Sequence, residues 1–186
     1  MLRPYYGLLD TPYKAPPSFE PRLEIGTAIH DIVEHAFEGM DVALNGGGRY
    51  TVLIEPAIDN TAYAKKYGIV GNTDFVFFVD GHPLLVGEIK SGQVPSAPFS
   101  KHSVQGAVYQ MCWKAPYLWY YYTNRDGDKW RCFLSGKPDK RLAAAVRSLL
   151  KEVQARVEAQ DAPPPSPDFF ACTKTCGYNY LCKPEF

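Results

Sequence analysis

From about Arg22 to Met40 the apolar residues Ile25, Ile29, Ile32, Val33, Ala36, Phe37 and Met40 recur at helical spacing. This pattern predicts a first helix, closed by a turn at Asn45-Gly46-Gly47-Gly48, whose glycines lack the Lys-Ser/Thr of a phosphate loop. Three runs rich in β-branched and aromatic residues follow, Tyr50 to Ile58, Ile69 to Val79 and Leu84 to Lys90, and each predicts a strand. Asp80-Gly81-His82-Pro83 joins the last two as a hairpin turn. A second helix is expected from Ser100 to Trp113, with Val104, Ala107, Val108 and Met111 as its buried stripe. Strands follow from Tyr117 to Tyr122 and from Lys129 to Leu134, separated by Asn124-Arg125-Asp126-Gly127-Asp128. Pro138 and Asp139 open a long helix ending near Gln160, striped by Leu142, Val146, Leu149, Leu150, Val153 and Val157.

The ends of the chain carry no such period. The first 21 residues read as an extended lead-in, and Ala162-Pro163-Pro164-Pro165-Ser166-Pro167 as a stiff strap that leads into a cysteine-rich tail. One domain over 1–186 is therefore expected, with its core at 22–160 and strap and tail at 161–186.

Composition narrows this little. The 186 residues are 46% hydrophobic and 22% charged, ordinary globular usage that argues against a disordered or disulfide-scaffold chain. No apolar run is long enough for a membrane span, and the first residues lack the apolar stretch of a secretory signal, so a cytoplasmic protein with no membrane partner is the expectation. Of five cysteines, Cys172, Cys176 and Cys182 crowd the tail, which fits a metal site in a reducing compartment better than a disulfide framework.

Candidate chemistry gathers around the hairpin. Glu88 and Lys90 are two apart and share a strand face, and a three-residue loop between Asp80 and Leu84 would set Asp74 opposite Lys90 and diagonal to Glu88. Two carboxylates and an ammonium on otherwise apolar strands are costly without compensation, and hard oxygen ligands of this kind suit Mg²⁺ or Mn²⁺. His30 and Glu34 stack one turn apart on the first helix, with Gly26 beneath them, while His35 projects from the opposite, wet face. On the second helix His102, Gln105 and Tyr109 fall on one face, where amide and hydroxyl groups can bind phosphate oxygens.

Four segments in order, Gly26-Thr-Ala-Ile-His30-Asp-Ile-Val-Glu34, Gly71-Asn-Thr-Asp74, Gly87-Glu88-Ile89-Lys90-Ser91-Gly92 and Gln105-Gly-Ala-Val-Tyr109, resemble the PD-(D/E)XK nuclease superfamily. The likeness is to its RecB-type branch, which includes CRISPR-associated RecB-like exonucleases and many phage exonucleases. It implies a restriction-endonuclease-like α/β core of αβββαβ order, with a central mixed sheet flanked by helices. It implies that His30, Asp74, Glu88 and the backbone carbonyl of Ile89 bind the divalent metal, and that Asp74, Glu88 and Lys90 are catalytic. Gln105 and Tyr109 would then hold the DNA backbone, with His102 on the same face; Glu55 lies where many relatives carry an acidic residue, and Thr73 stands in place of the proline. The implied activity is a metal-dependent DNA exonuclease acting on single-stranded or duplex ends in recombination, repair, replication or CRISPR-type processing, in a prokaryotic or phage-infected cell. A non-catalytic nuclease-fold subunit, a nuclease for RNA or branched DNA, a homo-oligomer and a recombination-complex partner remain open.

Cys172, Cys176 and Cys182 resemble the tail set with which iron–sulfur relatives clamp the nuclease domain. Three thiolates are one short of four, so an iron–sulfur cluster, a zinc site and a metal-free remnant all stay open; Cys112 and Cys132 read as small buried hydrophobes.

The zero net charge is a cancellation rather than neutrality. Residues 1–86 carry six Lys plus Arg against eleven Asp plus Glu, and residues 87–160 carry twelve against six. A basic half that begins at the proposed catalytic strand fits a local, salt-sensitive grip on a phosphate backbone.

Overall fold

The computed structural model describes residues 20–37, 41–43, 49–138 and 140–161. Its elements are α1 (Glu20–His35), β1 (Asp41–Ala43), β2 (Arg49–Ile54), α2 (Ala62–Tyr67), β3 (Phe75–Val79), β4 (His82–Ser91), α3 (Ser100–Trp113), β5 (Tyr117–Thr123), β6 (Trp130–Ser135) and α4 (Lys140–Glu158). The strands form one six-stranded sheet in the order β1-β2-β3-β4-β5-β6, antiparallel throughout except where β4 runs parallel to β5. That parallel pair requires a crossover, and α3 supplies it. A mixed sheet with helices is the α/β class expected.

The chain divides into two compact units. Residues 24–146 form the one that carries the sheet, and residues 1–23 group with 147–186. Within the sheet unit, one face is built from Val76, Val86, Leu118, Tyr120 and Tyr122, a buried cluster against which Phe99, Tyr109 and Trp113 pack. On the other face Phe37 meets Phe75 at 5.1 Å and Phe77 at 5.4 Å between ring centroids, over the fully buried Ile89. A satellite core of Ile58, Ala64 and Cys112 lies between α2 and α3. In the second unit Val153 is buried, and Arg156 bonds Glu152 and Asp161 across the end of α4. No helix among the described residues is long and apolar enough to cross a membrane.

The structure departs from the sequence expectations at several points. α1 ends at His35 rather than Met40, and Ile32, assigned to its apolar stripe, is 72% exposed. The strand expected to reach Ile58 stops at Ile54, because Glu55 takes a left-handed φ of 45°. The strand expected from Ile69 begins at Phe75; before it lie the six-residue α2, capped by the Thr61 hydroxyl and by Gly68 at φ 64°, and an isolated bridge between Ala57 and Asn72. On α3 the most buried positions include Gly106 and Gln110 rather than Val104 and Met111; the Gln110 amide donates to the Gly136 carbonyl at 3.0 Å. Cys132 is exposed, not buried. The glycine turn at 45–48, the strap and the cysteine tail lie outside the described residues.

The β3–β4 hairpin carries the most consequential difference. Its turn has two residues, not three: Asp80 and Gly81 take φ values of 49° and 77°, and Val79 pairs with His82. Two successive positive φ values make this a type I′ turn, whose twist matches its strands. A bulge then leaves Leu84 unpaired between Phe77↔Leu85 and Phe78↔Pro83, so that Phe75 pairs with Gly87. Extending this register sets Asp74 level with Glu88, not Lys90.

Gly87 lies directly under the Phe75 ring, where an added Cβ would come 1.9 Å from the ring's Cζ. Gly87→Ala is therefore expected to destabilise the fold by about 1–3 kcal/mol, as overpacking of a filled core does. Urea denaturation reads this directly, and an unchanged midpoint would contradict the packing described.

Candidate active site

α1 presents His30 and Glu34 one turn apart on a single flank. The helix approaches the end of β4 closely: a Cβ on Gly26 would lie 3.2 Å from the Ser91 hydroxyl. Asp74 stands at the mouth of β3, and Glu88 and Lys90 project from the same face of β4, in register with Tyr120 and Tyr122 of β5. Four segments far apart in sequence thus deliver their polar groups to one end of the sheet.

The contacts are specific. His30 Nδ1 lies 3.6 Å from Asp74 Oδ1 and 3.8 Å from Glu34 Oε1. One ligand atom from each of His30, Glu34 and Asp74 falls within 4.8 Å of the other two. The Ile89 N–H donates to Asp74 Oδ2 at 2.5 Å, and Lys90 Nζ donates to Glu88 Oε1. Two buried carboxylate oxygens, Glu34 Oε1 and Glu88 Oε2, have no hydrogen-bond partner. At 3.8 Å the His30 ring is an electrostatic neighbour of Glu34, not a donor to it.

Burial governs the electrostatics. It pushes Glu34 up to about 7, with the charges of Glu55, Asp74 and Asp31 adding to the effect. It also pushes Glu88 up to about 7, reinforced by Asp74 and opposed by Lys90. Asp74 is raised by burial against the pull of His30, the Ile89 amide and Lys90. Three desolvated carboxylates in one place favour any cation that can neutralise them. A donor set of carboxylate oxygens with one imidazole nitrogen fits Mg²⁺ or Mn²⁺.

Most of the expected residues meet here. Glu34, which the sequence reading set one turn from His30 but not among the metal ligands, enters the convergent set directly, whereas Glu88 is engaged with Lys90. Glu55 lies just past β2, where its N–H donates to the Asp74 carbonyl at 2.8 Å. Thr73 is fully buried, its hydroxyl on the Pro56 carbonyl at 3.3 Å. On α3 the Gln105 amide donates to the Tyr109 hydroxyl at 3.1 Å. Burial, followed by the nearby Glu88 charge, pushes that hydroxyl up to about 12. His102 is turned toward β5, its Nδ1 2.8 Å from the Tyr122 hydroxyl, and burial with Lys90 and Lys101 pulls it down to about 4. Sequence reasoning missed Tyr122 and Lys101, since a tyrosine in an aromatic strand and a lysine on a helix carry no local signal of a site. Cys172, Cys176 and Cys182 lie outside the described residues.

These features define an α/β chain with a carboxylate-rich, cation-receptive centre at one end of a mixed sheet. Among solved structures it is similar to SSO0001, with 19% identity over 88% of this chain and 71% of that one and a TM-score of 0.52. It also aligns with an alkaline exonuclease, LHK-Exo, from Laribacter hongkongensis, with 15% identity over 75% of this chain and 70% of that one and a TM-score of 0.45. At these identities the first likeness is one of fold. No protein-family model matches the chain, and no curated protein shows significant similarity to it.

The raised carboxylates fix the sign of a pH effect. Between about pH 4.5 and pH 7 the metal-free fold retains protons on Glu34 and Glu88 that the unfolded chain has released. The stability they contribute is present below the unfolded pKa and is lost as pH rises through about 7. In EDTA, Glu88→Gln is expected to reduce the fall in Tm across this window. A fall of equal size in the variant would rule out Glu88 as a source.

Proposed function

We propose that the chain is a divalent-metal-dependent nuclease that hydrolyses phosphodiester bonds in DNA, acting on ends. The observation that carries this reading is the convergence of His30, Glu34 and Asp74 beside the Glu88–Lys90 pair, with two buried carboxylate oxygens left without a partner. The choice of DNA and of ends rests on the motif resemblance.

His30, Asp74 and Glu88, with the Ile89 carbonyl, are the proposed metal ligands, and Glu34 joins them by position. When bound, the ion supplies charge neutralisation at a phosphoryl oxygen and acidification of a water. The remaining steps belong to the protein's own groups. The Ile89 N–H holds the Asp74 carboxylate by one oxygen and leaves the other toward His30. Glu88 holds the Lys90 ammonium at the site, where it offsets the negative charge that grows on the phosphate and orients the attacking water. Gln105 and Tyr109, tied to each other, bind the backbone phosphate without adding charge. A basic stretch from Gly87 onward gives the strand a salt-dependent attraction.

End-labelled DNA incubated with the purified chain and Mg²⁺ or Mn²⁺ is expected to be shortened, and EDTA is expected to stop it. Lys90→Ala should lower kcat by about a hundredfold or more, while Mn²⁺ binding measured by calorimetry persists. Glu88→Ala should weaken both. Cutting that survives either substitution would overturn the site assignment, and DNA binding without cutting under either metal would make the chain a binding subunit.

A further inference from the structure

On the β5 side of Lys90, away from Asp74, a cavity of about 280 Å³ opens between the end of β4, the 92–99 loop and the start of α3. It is lined by the aromatic residues Phe99, His102 and Tyr122, by the polar Gln93 and Ser91, and by Lys90 and Lys101. None of the lining residues is acidic, which sets the cavity apart from the carboxylate cluster on the other side of the same lysine.

Its frame is fixed. The Gly92 N–H donates to the Thr123 carbonyl at 2.8 Å, which ties the start of the loop to β5. Arg131 of β6 donates to the Pro95 carbonyl at 3.2 Å and clasps the middle of the loop. The Phe99 carbonyl accepts the His102 and Ser103 N–H groups, both at 2.9 Å, and so anchors the ring at the head of α3. The rings brace one another: Phe99 meets His102 edge-on at 5.5 Å, and His102 stacks on Tyr122 at 5.6 Å.

The chemistry of this wall is mixed in a particular way. A phosphate ion alone would leave three rings unused, and an apolar ligand would leave two ammonium groups and an amide unused. A nucleotide uses both, since its base has an apolar face and a hydrogen-bonding edge and its phosphate is anionic. Lys90 lines the cavity and also belongs to the catalytic cluster, so the occupant lies next to the scissile bond. We infer that this cavity receives the nucleotide adjacent to the cleaved phosphate, its base unstacked from the strand and packed against Phe99, its edge on Gln93 and its phosphate between Lys90 and Lys101. The inference rests on the nuclease reading and sharpens its substrate: a strand that offers an unpaired base at the cutting point, such as a single-stranded or frayed end.

The test uses single-stranded oligonucleotides in which an abasic analogue replaces one nucleotide at a time. With the wild-type chain and Mg²⁺ or Mn²⁺, an analogue next to the cleaved bond is expected to lower kcat/KM about tenfold or more, the scale of one lost base–aromatic stack. Phe99→Leu keeps the apolar bulk and removes the π-face, and should reduce that penalty to about twofold. Gln93→Ala, at an exposed position that cannot unsettle the core, should lower kcat/KM on the intact strand and leave the abasic strand unaffected. Equal cleavage of intact and abasic strands, or a penalty unchanged in both variants, would overturn the cavity's role while leaving the nuclease reading in place. If neither metal supports cleavage, 2-aminopurine-labelled strands separate the two ideas. An emission change on binding that is lost in Phe99→Leu keeps the cavity and discards the nuclease, and no emission change discards both.

Discussion

The structure turns on the cost of taking Asp74 and Glu88 out of water at one end of a sheet. Glu88 is 1% exposed in a row that continues from the buried Val86, and an ionised carboxylate there costs several kcal/mol unless something compensates it. The fold compensates in part, with Lys90 on one oxygen of Glu88 and the Ile89 N–H on one oxygen of Asp74. It leaves Glu88 Oε2 and Glu34 Oε1 without partners. Among the described residues no other buried carboxylate oxygen lacks a hydrogen-bond partner, so the deficit is concentrated where a cation would relieve it.

Backbone geometry determines which groups share that deficit. Had the hairpin closed with three residues, Asp74 would face Lys90 and the site would hold an ordinary cross-strand ion pair. The two-residue turn and the Leu84 bulge instead bring the two carboxylates level, a repulsive arrangement that a sheet tolerates only with help from elsewhere. α1 supplies some of that help through His30, and it reaches the strand end because Gly26 has no Cβ to hold it off Ser91. Gly87 plays the matching part on the other face, letting the Phe75 ring lie flat on β4 below the site.

Much of this was legible in the sequence, and the reasons for the rest are physical. α3 falls at Ser100–Trp113 as expected because its apolar period is bounded by Pro98 and Pro116. Glu88 and Lys90 could be placed on one face because a strand's period leaves no choice. The register of Asp74 could not be read, since a bulge inserts a residue that no loop count reveals. α2 escaped because six residues are too few for a period, although Thr61 and Gly68 stood at its ends as caps. Gln110 was unreadable for a different reason: a buried amide is acceptable only because the distant Gly136 carbonyl comes to meet it.

Lys90 stands at a boundary between two environments, and this gives the site its polarity. On one side lie the carboxylates of Asp74, Glu88 and Glu34, and on the other lie Lys101, the uncharged His102 and the Phe99 and Tyr122 rings, with no acid among them. A polyanion cannot settle on the first side without a cation, and a bare cation gains nothing on the second. Only a ligand that is anionic at one point and aromatic a few ångströms away satisfies both sides at once, with Lys90 touching it at the join. Lys90 and Lys101 lie in the part of the sequence from residue 87 to 160 where basic residues outnumber acidic ones, while Glu34 and Asp74 lie in the acidic part before it. On the proposed reading, phosphate charge would draw a strand to the basic side and the acidic side would accept it only with metal bound, so that attraction and chemistry would be separately controlled.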